Sequence, residues 1–410
     1  MELNNLFEHI EGNEAELIEL RRSFHRDPEL LFDVDRTAAK VAELLEGWGL
    51  EVKRGAGNHF GKGVVATLQG IGGGIGRTVL LRADMDALPI AEQTEAEYRS
   101  RREGVMHACG HDAHMAMLLG AAKAFARHRD KLRGTIKFVF QPAEEGAVPS
   151  PLDGRLVSGG RDLVESGVLD GVDACFALHV WPELPVGTIG VHPAYAMAAS
   201  SHFTVTFQGV AGHHSSPHLA VDAIMMASQF IQEMKAAMAT VVNPLEPAVL
   251  AFGTLKAGAV INAIAADAEI RGTYRAYNPE VVEQVRSLIV KRSQAIAESF
   301  GGSSETLFRI GTALRNDEHY GALARRAGAV VAGEDNAISL QSPSLAGEDF
   351  ALYTERVPGA FAFLGVGNTE RGIVHSVHHP QFELDERALV IGAKLHAAWA
   401  AGALEGTEKK

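Results

Sequence analysis

The chain has 410 residues, 46% apolar and 22% charged, the balance of a folded globular protein with more than one core. Its 51 acidic residues against 38 basic ones give a net charge of -13, which argues against a nucleic-acid partner, since that needs a basic face. Two cysteines, Cys109 and Cys175, make no disulfide framework; no basic segment followed by an apolar run opens the sequence, and no uncharged stretch reaches the roughly 18–20 residues of a membrane span, so the expectation is a cytoplasmic protein without a membrane partner.

Leu6, Ile10, Leu17 and Leu20 recur at helical spacing and predict a helix over about 3–26, closed by Arg21, Arg22 and Pro28. A second helical pattern, 38–45, ends near Gly47 and Gly49. Apolar runs at 64–68 and 78–82 read as strands around a glycine-rich loop, 70–76. A helix at 115–125 follows, then a strand at 135–140 stopped by Gln141-Pro142, and another at 174–180 stopped by Trp181-Pro182. Strands alternating with helices predict the α/β class, with a mainly parallel central sheet and helices on both faces. In such sheets, sites collect where the strands end. Asp84, Asp86, Glu144, Glu145 and His179 all fall at or just after strands, which points them toward one crevice.

The rhythm changes near residue 195. A strand at 202–208, a helix at 217–238, strands at 249–256 and 265–275 and a helix at 279–300 make a compact α+β unit, placed as an insertion over 195–307. The helix at 317–332, the strand at 360–366 and the helix at 386–404 then return to the first domain, 1–194 and 308–410, ahead of a polar tail at 405–410.

The densest chemistry lies in His107-Ala-Cys-Gly-His-Asp-Ala-His114. Gly110 lets the backbone turn Cys109 and His111 to one point, and thiolate with imidazole suits zinc and other late divalent ions. Glu144 and Glu145 are adjacent, so one can bind a metal while the other faces water as general base. Asp84 and Asp86 end a strand, where an acid orients a metal-binding imidazole. His179 ends an apolar run; His378 and His379 precede Pro380. In the insertion, the histidines of 212–218 lead into a helix and Thr273-Tyr-Arg275 ends a strand, candidates for an oxyanion donor and a carboxylate clamp.

Taken in order, these segments resemble the aminoacylase/carboxypeptidase-type di-metal peptidases. They are closest to the amidohydrolase branch of N-acyl-amino-acid amidohydrolases, hippurate hydrolases and auxin-conjugate hydrolases. The likeness runs from about Leu20 to Leu389 through Phe24-His-Arg-Asp-Pro-Glu-Leu, Leu81-Arg-Ala-Asp-Met-Asp-Ala-Leu-Pro, Met106-His-Ala-Cys-Gly-His-Asp-Ala-His, Gln141-Pro-Ala-Glu-Glu-Gly, Leu178-His-Val-Trp-Pro, the Gly-His and Pro-His of 212–218, Gly272-Thr-Tyr-Arg, Gly347-Glu-Asp-Phe and His378-His-Pro-Gln-Phe. The resemblance implies a zinc-peptidase-like catalytic domain and a lid and dimerisation insertion. It implies two divalent ions per subunit (Zn, Mn, Co or Ni) on Cys109, His111, Glu145, His179 and His378, with Cys109 bridging. Glu144 takes the general-base position, Asp86 the acid behind the metals, and His213 the oxyanion-steadying lid histidine, possible in a homodimer also for the partner's site. Asn262 and Arg275 fall where lid residues hold the substrate carboxylate. His107 and His114 become supporting residues.

The activity so implied is hydrolysis of the amide of a small N-acyl amino acid or related conjugate, by a metal-bridged water that gives its proton to Glu144. A dipeptidase or carboxypeptidase on the same metals is the alternative. A non-catalytic binder of this fold would lack a ligand or the glutamate, and the sequence keeps all of them. Three departures bear on substrate choice. The lid motif reads Gly209-Val-Ala-Gly-His-His-Ser, His379 stands where a serine is usual and competes with His378, and the stretch 147–166 is longer than is usual.

Overall fold

The computed structural model describes residues 2–73 and 76–405. Gly74 and Ile75 of the glycine-rich loop, and all but the first residue of the polar tail, lie outside the described residues. The chain packs as two compact units, Met1–Ala196 with Arg315–Ser342 and Asp349–Lys410, and Met197–Leu314 with Pro343–Glu348.

The first unit is built on an eight-stranded sheet of β1 (Glu51–Ala56), β2 (Gly63–Gln69), β3 (Thr78–Asp84), β4 (Thr135–Gln141), β5 (Ala174–Pro185), β6 (Ile189–Val191), β7 (Ala337–Ser339) and β8 (Gly359–Gly367). Their spatial order is β1-β2-β4-β3-β5-β8-β6-β7. The contiguous run β4-β3-β5-β8 is parallel, as is β6-β7; β1-β2, β2-β4 and β8-β6 are antiparallel. Every residue of β8 is buried, as a central strand covered on both faces requires. Alternate side chains go to opposite faces. Val79, Leu81 and Ala83 of β3 and Phe176, Leu178 and Val180 of β5 join a core with Val41, Leu119 and Trp399, from the helices Asp35–Gly47, His111–Arg127 and Ala388–Glu405. On the other face, Arg82 and Gln141 meet Asp349, which also accepts from the amide of Gly160 in the helix Gly159–Glu165.

Several elements differ from the sequence expectation. The helix expected over 3–26 is two, Leu3–Glu11 and Glu14–Arg26, separated at Gly12 and Asn13, where the Asn13 side chain donates to the His9 carbonyl (2.6 Å). β5 continues through Trp181-Pro182 to Pro185, because β8 shifts register between Gly365 and Gly367 and so accommodates a residue with no amide hydrogen. The long 147–166 stretch folds into a short hairpin, Val148–Pro149 with Leu156–Val157, and the helix Gly159–Glu165, neither of which the sequence pattern predicted.

The second unit carries a four-stranded antiparallel sheet ordered Ala248–Ala257, Asp267–Ala276, Ala199–Gln208, Ser303–Arg309. The strand Ser303–Arg309 belongs to this sheet, so the unit runs past the expected boundary at 307 to Leu314, and it includes 343–348 besides. Phe203, Val205 and Phe207 alternate inward onto Met226, Phe230 and Ile289 of the helices Ala223–Thr240 and Pro279–Phe300. The first of these helices begins later than the expected residue 217, because Asp222 caps it by accepting from the amides of Ile224 and Met225. The second is capped by Asn278, carries Pro279 in its first turn and ends at Gly301 with φ 78. Among the described residues, no helix is long and apolar enough to cross a membrane.

Candidate metal and catalytic centre

Cys109 precedes, and His111 opens, the helix His111–Arg127, with Gly110 between them at φ 85. A side chain at Gly110 would strike Val180, so glycine supplies both the turn and the room. The Cys109 Sγ lies 3.3 Å from His179 Nε2 and 3.2 Å from His378 Nε2. His378 Nε2 is 3.3 Å from Glu145 Oε1, and His111 Nε2 is 3.9 Å from the same oxygen. Two sets of mutually close donors result: Cys109 with His111 and His179, and Cys109 with Glu145 and His378. Glu144 forms a further set with His111 and Glu145. His378, rather than its neighbour, is the histidine at the cluster. His379 stacks on His375 with ring centroids 4.3 Å apart, and its Nδ1 accepts from the Gln381 amide. His378 itself sits at φ 66, and its amide donates to the Ala108 carbonyl (2.7 Å), so backbone as well as side chain ties 378 to the Cys109 loop.

The polar shell behind these donors is dense. The Asp86 carboxylate accepts from the amides of Glu144 (3.0 Å) and Glu145 (3.2 Å). Its backbone carbonyl is 2.8 Å from His111 Nδ1. An N–H there leaves the lone pair of His111 Nε2 turned toward the cluster. Asp86 thus positions the glutamate pair through its side chain and the imidazole chiefly through its main chain. Asp84 holds His114 Nδ1 (2.7 Å) and Arg82 Nη1 (2.6 Å), while His114 Nε2 accepts from the Val180 amide (3.0 Å). Since His179 Nδ1 donates to the Val180 carbonyl (2.7 Å), one peptide neighbourhood orients both histidines.

Buried charge sets the electrostatics. Burial pushes the Cys109 thiol well above its usual range, and Glu145, Glu144 and Asp84 push it further. For His111 burial acts downward, yet Asp84, Asp86 and Glu145 outweigh it and lift the imidazole to about 10. Burial, reinforced by His114, drives His179 well below the ordinary imidazole value. Burial opposes ionisation of Glu145, but His378 and His111 hold it below the usual carboxylate range. His111 Nε2 is buried without a hydrogen-bond partner, and Glu145 Oε1, 3.9 Å from it, has only the ion pair with His378. An orphaned imidazole nitrogen facing a carboxylate, in a set of thiol, imidazole and carboxylate, fits a divalent cation.

The remaining predicted residues lie in the second unit. His213 is exposed on a two-stranded ribbon, Gly212–His213 with Ala263–Ile264, where it pairs with Ala263. Asn262 therefore stands one residue from the position opposite His213, and its carbonyl accepts from the His214 amide (3.5 Å). Arg275, on the strand Asp267–Ala276, donates to the Leu345 carbonyl (2.8 Å). Sequence reasoning missed a second buried charge cluster: Asp112 pairs with Arg21 Nε and His25 Nδ1, both at 2.8 Å, and His25 Nε2 is 3.2 Å from Glu92. His25 and Asp112 both occur in the recognised segments, and an ionisable residue on an apolar helix face was the available signal. His107, expected in a supporting role, is buried with no hydrogen-bond partner on either ring nitrogen.

A sheet with its donors at the carboxyl edge, thiol and imidazole beside paired glutamates, defines a metal-dependent hydrolase. The family model for peptidase family M20/M25/M40 matches residues 80–401. N-acetylcysteine deacetylase of Bacillus subtilis (strain 168) is 36% identical over 95% of this chain and 97% of its own. Thermostable carboxypeptidase 1 of Saccharolobus solfataricus is 34% identical over 93% of each. The crystal structure of a Bacillus subtilis dinuclear metal binding peptidase from the M20 family superposes with a TM-score of 0.80 at 33% identity, covering 96% of this chain and 99% of that one. The chain belongs to the M20/M25/M40 peptidase family.

Proposed function

We propose that this protein hydrolyses the amide bond of N-acyl amino acids and related amino-acid conjugates. The overlapping donor sets of Cys109, His111 and His179 and of Cys109, Glu145 and His378, with Glu144 in a third set with His111 and Glu145, carry the reading. The relative named for deacetylating N-acetylcysteine supports it. Those five residues would hold two divalent ions with Cys109 common to both; zinc suits the donors, and manganese, cobalt and nickel are admitted. Such ions polarise a carbonyl and lower the pKa of water from about 15.7 toward about 7.

Glu144 takes the proton of the attacking water and delivers it to the leaving nitrogen. Asp86, by holding both glutamate amides, lets the adjacent carboxylates serve different tasks. His213 steadies the oxyanion. Asn262 and Arg275 take the substrate carboxylate, Arg275 with the N–H groups not spent on Leu345. The protein acts in the cytoplasm as a homodimer formed through the second unit, whose edge strand Ala248–Ala257 exposes Val249 and Leu255.

A dipeptidase or carboxypeptidase on the same donors is the second reading, favoured by the carboxypeptidase relative. Parallel assays with hippurate, N-acetyl amino acids and dipeptides, repeated with each of the four metals, separate the two. The first reading expects the acylated compounds to be preferred. Preference for dipeptides moves the assignment to the second, and no cleavage with any metal overturns both.

A further inference from the structure

The three candidate ligand histidines are not aimed alike. His111 Nδ1 is held by the Asp86 carbonyl (2.8 Å) and His179 Nδ1 by the Val180 carbonyl (2.7 Å), so each of these rings has its second nitrogen fixed. His378 lacks such an anchor: none of the described residues bonds its Nδ1, and its side chain is 50% exposed. The ring is therefore aimed by its backbone, which sits in the left-handed region at φ 66.

That aim depends on what holds the segment 378–386. One tie is direct, from the His378 amide to the Ala108 carbonyl (2.7 Å), and a single hydrogen bond leaves two segments free to pivot. Two further ties run through the helix Glu14–Arg26. His25 meets Asp112 with Nδ1 (2.8 Å) and Glu92 with Nε2 (3.2 Å). Asp112 follows His111, and the amide of Gln93, beside Glu92, donates to the Pro380 carbonyl (2.8 Å). Arg21, one turn earlier on the same helix face, meets Asp112 with Nε (2.8 Å) and Glu386 with Nη1 (3.4 Å). Arg22 adds a forked pair to Glu386, at 3.0 and 2.7 Å. The paths through His25 and Arg21 both start at the residue after His111 and end within 378–386.

These links are stiff because they are dry. Arg21, His25 and Asp112 are buried, where a charge pair is little screened. Both ring nitrogens of His25 face carboxylates, which favours the doubly protonated ring. Burial and Arg21 oppose that charge, but Asp112 and Glu92 outweigh them and hold the imidazole above its ordinary value.

We propose that His25 is a positioning residue for the metal ion of the Cys109, Glu145 and His378 set. Bridging Asp112 and Glu92, it fixes the His378 segment against the helix that begins at His111. The inference rests on the two-metal reading and adds that the two ions are held differently, since the set of Cys109, His111 and His179 has its rings anchored on the spot.

The test is zinc binding, measured by competition with a chromophoric chelator, for wild type, His25→Ala, His378→Ala and the double variant. Wild type should bind two ions. His25→Ala should weaken one of them by about 10- to 100-fold, the usual loss when a group supporting a ligand is removed, and leave the other unchanged. In the His378→Ala background the same substitution should not weaken the remaining ion further. Glu92→Ala, which cuts the bridge and leaves Arg21 on Asp112, should reproduce the selective loss, and it carries the test alone if His25→Ala does not fold. Both ions weakened equally, or neither, overturns the proposal, because a general loosening of the fold moves both alike. A further loss in the His378→Ala background overturns it too. A wild-type protein that binds fewer than two zinc ions fails the two-metal reading itself, and the proposal falls with it.

Discussion

The two units solve opposite problems of burial. The first buries charge: Arg21, Arg82, Asp84, Asp86, His111, Asp112 and His114 are each at most 1% exposed. The core of the second is apolar, and its candidate residues His213 and Asn262 lie on the surface. A buried ionic network costs desolvation that only geometry and partners recover, so its retention marks a task other than stability. An apolar core under a half-exposed sheet stabilises and constrains little else. Stability and chemistry should therefore separate by mutation in the second unit and travel together in the first.

The largest effect tests the chemistry at its centre. Glu144→Ala should lower kcat by about 10³- to 10⁴-fold while the bound metal, measured by elemental analysis, is retained; normal turnover would remove the general-base assignment. Next comes a pair that probes the contrast itself. Arg82→Ala takes the guanidinium from Asp349 and from buried Asp84, leaving Asp84 only its histidine partners, and should cost about 3–5 kcal/mol in urea unfolding, with weakened metal retention. Phe230→Ala should cost a similar 3–5 kcal/mol through its cavity, with metal content unchanged. If Phe230→Ala strips metal as readily as Arg82→Ala, the proposed separation fails.

Smaller effects sharpen the picture. Asn278→Ala removes a helix cap and should cost about 1 kcal/mol, read as a lower midpoint for the second unit. Asp385 accepts from Arg387 and Asn368, and these bonds hold its carboxyl far below the usual range. A depressed folded value means stability present above the unfolded carboxylate pKa of about 3.9 and lost as pH falls from there toward the folded value. The stability gap between wild type and Asp385→Asn should thus be full near neutrality and narrow below about pH 4; a gap independent of pH would count against the pairing.

Much of the first unit was legible because parallel strands buried on both faces read as continuous apolar runs. Gln141-Pro142 stops one cleanly, and the Cys109 and His111 cluster is too dense in donors to be accidental. β6 and β7, each three residues long, show no period. β1 carries Glu51, Lys53 and Arg54 and is an edge strand, so it lacks an apolar signature. Ser303–Arg309 is likewise an edge strand. The network of Arg82, Gln141, Asp349 and Gly160 was invisible for a different reason. Its members are ordinary residues far apart in sequence, and only the fold makes one carboxylate their common acceptor.

The place of β8 also has a consequence in time. It lies between β5 and β6, which are neighbours in sequence, yet it is made long after both. A ribosome-bound chain that has emitted β5 and β6 must keep their facing edges apart until Gly359–Gly367 emerges, whereas Met197–Leu314 is one stretch that supplies all of the second unit except Pro343–Glu348. The insertion is thus free to fold first, and the open edges of β5 and β6 become the step most exposed to mispairing during synthesis. Since His378 follows β8, the donor set is completed only after that gap has closed.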